Sequence, residues 1–314
     1  MLGKKFLLIG AAMYFIALGV IAGAQGVETM DMNNMPYAKV KSMLSNPSMA
    51  MKAMQMAKKN HVLMMSGMPV QGKSVTWKGE LTGANCYLSS GLHGHNHALC
   101  SKACVYAGTP ILFLHSGKTY VVLTAKDGMA LPEAAYDDLG QPGVTITGVT
   151  LKSHGMNAIA IQSVSSGAMS GGQGMNMMDM NNMPYAKVKA TLSDPSMAMK
   201  AMQMAKKNHV LLMAGMPVQG KSVTWKGELT GANCYLSAGL HGHNHALCSK
   251  ACVFAGTPIL FLHGGRTYLV LTAKDGKPLP DAAYDALGQP GVTVTGVTLN
   301  SHGVLAIAIQ SVSR

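Results

Sequence analysis

Arginine is nearly missing from this 314-residue chain: Arg266 and Arg314 are the only two among 25 basic residues, which stand against 13 acids. Aromatic residues make up 5%. Phosphate recognition favours the guanidinium fork, and readers of single-stranded nucleic acid interleave cations with stacking rings. The formal net charge of +12 therefore reads as a solvated lysine surface, not as a nucleic-acid interface; weak attraction to acidic envelope polymers is a by-product. Paired-carboxylate motifs, a Gly-rich phosphate loop and a nucleophile elbow are also missing. Glu80, Asp127 and Asp137 are scattered singles that read as surface charges. An enzyme is not expected, and a thiol oxidoreductase with Cys100 or Cys104 as nucleophile is the enzymatic alternative. Without Cys-x-x-Cys-His there is no signal for covalent haem. Cysteine is sparse, at six residues, and its placement is the most informative feature of the chain.

One long hydrophobic run is present. Lys4 and Lys5 precede an uncharged stretch from Phe6 to Ala24 that closes on Ala22-Gly23-Ala24. A charged start, an apolar middle and a small-x-small end describe an export signal cut after Ala24. The stretch is close to the roughly 20 residues that span a bilayer, so an uncleaved anchor, with membrane association through the N-terminus, is the alternative. In both cases the remainder is expected outside the cytoplasm, in the periplasm, the cell envelope or the extracellular space.

From Met30 to Val164 the sequence recurs without a gap at an offset of 148 residues, ending at Val312. This is a tandem duplication of units of ordinary domain size. Between the units, Ser165-Ser-Gly-Ala-Met-Ser-Gly-Gly-Gln-Gly174 predicts a flexible linker and two loosely oriented beads. Within a unit the pattern changes near Gly72. The expected organisation is a leader over 1–24, a Met-rich helical segment over 25–71, a β domain over 72–164, a linker over 165–177, and the same two parts over 178–219 and 220–314. Asn34-Met-Pro36 and Asn46-Pro47 place capping residues beside prolines, predicting two short helices over 36–44 and 47–59. Ser74–Tyr87, Ile111–His115, Thr119–Thr124, Val144–Leu151 and Ala158–Val164 predict five strands, with hairpin signals at Ser116-Gly117 and His154-Gly155. Ala98–Tyr106 and Leu131–Leu139 predict short helices. The fold class is mainly β with some helix: two tandem five-stranded OB-like barrels, each preceded by a Met-rich helical hairpin.

All six cysteines fall in two runs. The first holds Cys86, His93, His95, His97, Cys100 and Cys104; the second holds Cys234, His241, His243, His245, Cys248 and Cys252. On a helix starting at Ala98, the three-then-four spacing of His97, Cys100 and Cys104 puts them on one face, and Cys86 returns to them through a short loop. Three thiolates and one imidazole form the ligand set of a tetrahedral soft-metal site, with His93 and His95 as reserve or outer ligands. A helix N-terminus is expected to lower the thiol pKa. The alternative is oxidation outside the cytoplasm: Cys86 pairs with Cys100 or Cys104, and the odd thiol stays free.

The succession of Cys86, His97, Cys100, Cys104, Gly108, Pro110 and Val144-Thr-Ile-Thr-Gly148, with equivalents from Cys234 to Gly296, resembles small exported bacterial OB-like proteins of uncharacterised function. The resemblance covers about 90 residues of each unit and implies a fold and a Cys/His site more than an activity. Locally, Cys-x-x-x-Cys with a histidine is similar to the copper ligands of Sco-type cytochrome-oxidase assembly proteins and of binuclear copper electron-transfer domains, on a different fold.

Methionine supplies 27 residues, concentrated in the two helical segments. On a helix over 47–59, Met49 and Met56 share a face while Met51 and Met54 lie nearly opposite. One reading is adaptable packing on both sides. Another is an exposed array of soft thioethers for Cu(I), drawn from Met30, Met32, Met35, Met49, Met51, Met54 and Met56 and, in the second unit, Met178, Met180, Met183, Met197, Met199, Met202 and Met204. A third is a sink for oxidants. Copper joins the thioethers, thiolates and imidazoles in one function, and zinc explains the Cys/His runs alone. The expectation is an exported metal-binding protein that exchanges copper with a donor or acceptor in the envelope. The alternative is a non-catalytic module stapled by zinc or disulfides.

Overall fold

The computed structural model describes residues 32–46, 48–49, 69–125, 130–166, 180–194, 196–197, 217–273 and 278–314. The expected export leader, the linker over 167–177 and most of the second Met-rich helix of each unit lie outside them. Among the described residues no helix is long and apolar enough to cross a membrane.

Each repeat closes a five-stranded barrel. In the first, β1 (Lys73–Gly83), β2 (Ile111–His115), β3 (Lys118–Ala125), β4 (Pro142–Ser153) and β5 (Met156–Ser165) run in the order β1-β2-β3-β5-β4, and β4 pairs back onto β1. All pairings are antiparallel except β3 with β5, where Val121 faces Ala158. The second repeat repeats the plan with β6 (Lys221–Gly231), β7 (Ile259–His263), β8 (Arg266–Ala273), β9 (Pro290–Ser301) and β10 (Val304–Ser313). This is the expected OB-like arrangement. Alternation puts Leu81, Phe113, Val122, Ile146, Ile159 and Ile161 inside, all at most 1% exposed. The β2–β3 and β4–β5 turns are tight, with Ser116 and Gly117 at φ 48 and 71 and His154 and Gly155 at φ 49 and 79; two left-handed central residues match the twist of a hairpin.

The helices place the chemistry. After a turn at Met32–Asn34, α1 spans Tyr37–Ser45; residues 48–49 are helical, so the first of the two expected helices is present and the second lies mostly outside the described residues. The β1–β2 connection carries α2 (Ala84–Ser90), a turn at His95–His97 and α3 (Ala98–Tyr106); α4 (Glu133–Asp137) follows β3. The counterparts are α5 (Tyr185–Ser193), α6 (Ala232–Ala238), α7 (Ala246–Phe254) and α8 (Asp281–Asp285). One strand expectation is corrected. The first strand does not continue to Tyr87 but stops at Gly83, and Cys86 sits on α2. Gly83-Ala84-Asn85 offers no β-branched residue to extend the pleat, and Gly91 at φ 68 caps the helix by donating to Tyr87 O.

The repeats are not loose beads. Asn85 Nδ2 donates to Thr272 Oγ1 while Thr272 N donates to Asn85 Oδ1 at 3.4 Å, and Asn233 makes the same pair with Thr124. Ala84, Leu88 and Leu123 share one buried cluster with Ala232, Leu236 and Leu271. Tyr87 packs on His302 at 4.3 Å and Tyr235 on His154 at 4.2 Å. A Gly/Ser linker permits independent motion, but it says nothing of apolar faces that bury each other on either side of it.

The Met-rich segments are exchanged. The strap formed by residues 32–45 lies on α7 and α8 of the second repeat. There, Leu247 N donates to Asn33 Oδ1 at 3.3 Å, and Lys250 Nζ donates to Asn33 O at 3.2 Å and Met35 O at 2.7 Å. Tyr37 N donates to Asp285 Oδ1 at 2.6 Å, and the Tyr37 ring stacks on Tyr284 at 4.8 Å. The second strap, 180–193, makes the matching contacts with Leu99, Lys102, Asp137 and Tyr136 of the first repeat. Swapping identical elements between like units adds contacts at little cost.

Candidate metal centre

Helix α3 begins where the sequence predicts, and its first turns turn Cys100 and Cys104 inward toward Cys86 on α2. The three sulfurs form a triangle: Cys86 to Cys100 3.4 Å, Cys86 to Cys104 3.9 Å and Cys100 to Cys104 4.0 Å. In the second repeat the corresponding separations are 3.4, 4.0 and 3.9 Å. None of the six is in a disulfide, and all are buried. A tetrahedral ion bound at about 2.3 Å holds its thiolates about 3.8 Å apart, so both triangles have the size that one ion requires. A ring nitrogen of His97 lies within 4.8 Å of the Cys86 and Cys100 sulfurs; in the second repeat the group within that distance is the three sulfurs. His97 is 4% exposed and His245 5%, and Nε2 of each is buried without a hydrogen-bond partner. Such an atom costs about 1–3 kcal/mol when left unsatisfied, and a cation beside it removes that cost. The residues present therefore fit a soft metal ion in each barrel.

The backbone is shaped to the cluster. Gly140, at φ 76, donates to Leu81 O at 2.6 Å, and a Cβ there would fall 2.5 Å from Ala98 Cα. Glycine alone lets this loop press against the start of α3.

The thiols correct one expectation. Neither Cys104 on α3 nor Cys86 on α2 is left acidic. Sharing hydrogen bonds with Cys100 and burial push Cys86 up to about 12, and Cys104 is also raised, first by its bonds to Cys100 and Cys86 and then by burial. Cys234 and Cys252 move the same way, each first through its bond to a neighbouring thiol. Without a cation these four are neutral thiols near neutral pH; a bound ion stabilises the thiolates and releases their protons.

Of the expected ligands, the structure groups Cys86, His97 and Cys100, with Cys104 completing the sulfur triangle, and in the second repeat Cys234, Cys248 and Cys252, with His245 buried but outside that group. It holds the reserve histidines on other partners. His93 Nδ1 lies 2.9 Å from Glu80 Oε2 and His95 Nδ1 3.1 Å from Gln141 Oε1, and His241 and His243 pair with Glu228 and Gln289 at 2.9 and 3.3 Å. Met32 and Met35 are 3% and 5% exposed and pack with Val40, Met43 and Leu247, so they are core residues of the strap interface, not members of an exposed array. Met183 packs on Leu99 and Val188. Met49 and Met197 are exposed, at 40% and 47%. Met30, Met51, Met54, Met56, Met178, Met199, Met202 and Met204 lie outside the described residues, as does the side chain of Met180.

Two carboxyl residues read as surface charges do structural work. The loop that carries His93 and Gly94 closes over Glu80, which is 7% exposed and accepts from Gly94 N at 2.5 Å in addition to its pairing with His93. Asp137 receives the strap through Tyr185 N at 2.7 Å. Asp127 lies outside the described residues. Hydrogen bonds to a charged side chain are worth about 1.5–3 kcal/mol each. Glu80→Ala should therefore destabilise the chain by about 2–3 kcal/mol in urea titration and speed alkylation of Cys86; unchanged values for both would show the Glu80 contacts to be idle.

No protein-family model, no curated protein and no solved structure matches the chain. The site is therefore read from its own geometry.

Proposed function

We propose that the protein is an exported soft-metal-binding protein that handles copper in the cell envelope, with one Cys/His site per repeat and a donor or acceptor protein as its partner. One observation carries the reading: in both repeats three buried sulfurs stand 3.4–4.0 Å apart, and in the first a ring nitrogen of His97 lies within 4.8 Å of two of them. Thiolates and imidazole suit Cu(I) and Zn²⁺ alike. Copper is proposed because soft thioethers run through the adjoining segments and Met49 and Met197 are exposed. Export rests on the leader before Ala24. With metal bound, the chain's own residues exclude water and hold the ion; metal then exchanges without any reaction at the site.

A second reading has its own support. All four groups are buried, and a closed shell without an open position is typical of structural zinc. Metal analysis of the full chain purified from its native envelope, with a free-thiol count, separates the two. About two coppers per chain supports copper handling, whereas about two zincs with no copper supports the staple. No metal, with one disulfide and one free thiol per repeat, overturns both metal readings.

A further inference from the structure

The thiols of each repeat are sealed by elements of that repeat, but the helix that seals them is held down by the other. On α3, Cys100 and Cys104 face the barrel, and Gly83 lies against Ser101 and Cys104. The opposite face carries Leu99, Lys102 and Tyr106 and is covered by the second strap, with Asp138 of the first repeat also near the Lys102 ammonium. Leu99 clusters with Met183, Val188 and Leu192. Lys102, 1% exposed, sends its ammonium to the carbonyls of Asn181 and Met183 at 3.4 and 2.8 Å. Tyr106 Oη meets Ser193 Oγ at 2.9 Å. Both repeats show this arrangement: Lys250 is 0% exposed and bonded to the carbonyls of Asn33 and Met35.

We propose that each strap is a latch acting in trans: residues 180–193 govern access to Cys86, Cys100 and Cys104, and residues 32–45 govern access to Cys234, Cys248 and Cys252. Undocking a strap leaves a buried lysine ammonium without its carbonyls and uncovers Leu99 or Leu247. The ammonium, which in the first repeat keeps the nearby Asp138 charge, is then drawn toward water, and its helix loosens from the barrel and opens the cluster. Thiol chemistry on a buried site proceeds through such local openings, at a rate set by their population. If the clusters bind metal as proposed above, loading and release at one site are controlled by the opposite repeat. The latch itself does not depend on that reading.

The test uses the full chain, reduced and metal-free, pulsed with iodoacetamide and read peptide by peptide. The two cysteine runs are distinguishable by mass, because Ser90 and Tyr106 are replaced by Ala238 and Phe254. Val188 and Val40 are both buried in the strap interfaces, and a carboxylate at either expels the strap. Val188→Asp should raise alkylation of Cys86, Cys100 and Cys104 by about tenfold or more while Cys234, Cys248 and Cys252 stay within about twofold; Val40→Asp should do the reverse. A milder pair, Asn181→Ala with Tyr185→Ala, should act in the same direction as Val188→Asp. Acceleration of the same repeat's cysteines, equal acceleration of both sets, or no acceleration in either strap variant overturns the latch. The readout contains no metal, so a failure here leaves the metal assignment standing, and a failure there leaves the latch standing.

Discussion

A Cys100→Ser chain is expected to bind one metal ion fewer than the parent, with the loss confined to the first repeat. Cys100 is 0% exposed and lies 3.4 and 4.0 Å from the other two sulfurs of its triangle, so its removal takes away a ligand that no nearby residue replaces. His93 and His95 are held by Glu80 and Gln141. Structural zinc sites bind with about 10–16 kcal/mol through four ligands, so one ligand is worth roughly 3 kcal/mol, or about 100-fold in affinity. Titration with Cu(I) and, separately, with Zn²⁺, followed by competition with a chelator, reads the effect. The Cys100→Ser, Cys248→Ser double variant should lose both high-affinity sites. If it kept full copper affinity, binding would belong to the methionines and the Cys/His assignment would fall.

Much of the barrel was legible because β-branched residues alternate along it. Ile111–His115 matches its predicted span in full, and α3 matches Ala98–Tyr106. Part of the site was legible for a related reason: the four-residue spacing of Cys100 and Cys104 puts both on one face of the predicted helix, while His97 sits in the turn before it. Glu80 was not legible. It lies on the face of β1 opposite Leu81 and is buried by the loop that carries His93 and Gly94, and a covering loop leaves no periodic mark in the strand. The exchange of straps was hidden more deeply. The two repeats offer nearly identical grooves and nearly identical straps, so no pattern of residues says which strap enters which groove; that is settled by where the barrels sit. Met32 and Met35 misled for the opposite reason. A thioether is both a soft ligand and a flexible packing group, and composition alone does not separate the two uses. The burial of both residues against Leu247 does.

Raising the pH should unfold the metal-free chain well before the loaded one. Cys86 is raised from 9.0 to about 12, first by its bond to Cys100 and then through burial; Tyr37 and Tyr185 are raised from 10.0 to about 12 by burial in the strap interfaces. Each folded-state value lies above the unfolded one. Between about pH 9 and 12 the unfolded chain therefore gives up protons that the folded chain retains, and stability falls as pH rises. Below that window the contribution is fully present. Cys104, Cys234 and Cys252 are raised too and act in the same direction. A bound cation reverses the thiol part, because it holds the sulfurs as thiolates in the folded state. The loaded chain then keeps only the tyrosine slope. Denaturant midpoints at pH 8, 9.5 and 11, with and without metal, should diverge steadily, the metal-free curve dropping first. A metal-free midpoint that stayed flat to pH 11 would mean that the thiols are not held neutral in the fold, and parallel curves would mean that the ion does not bind through them.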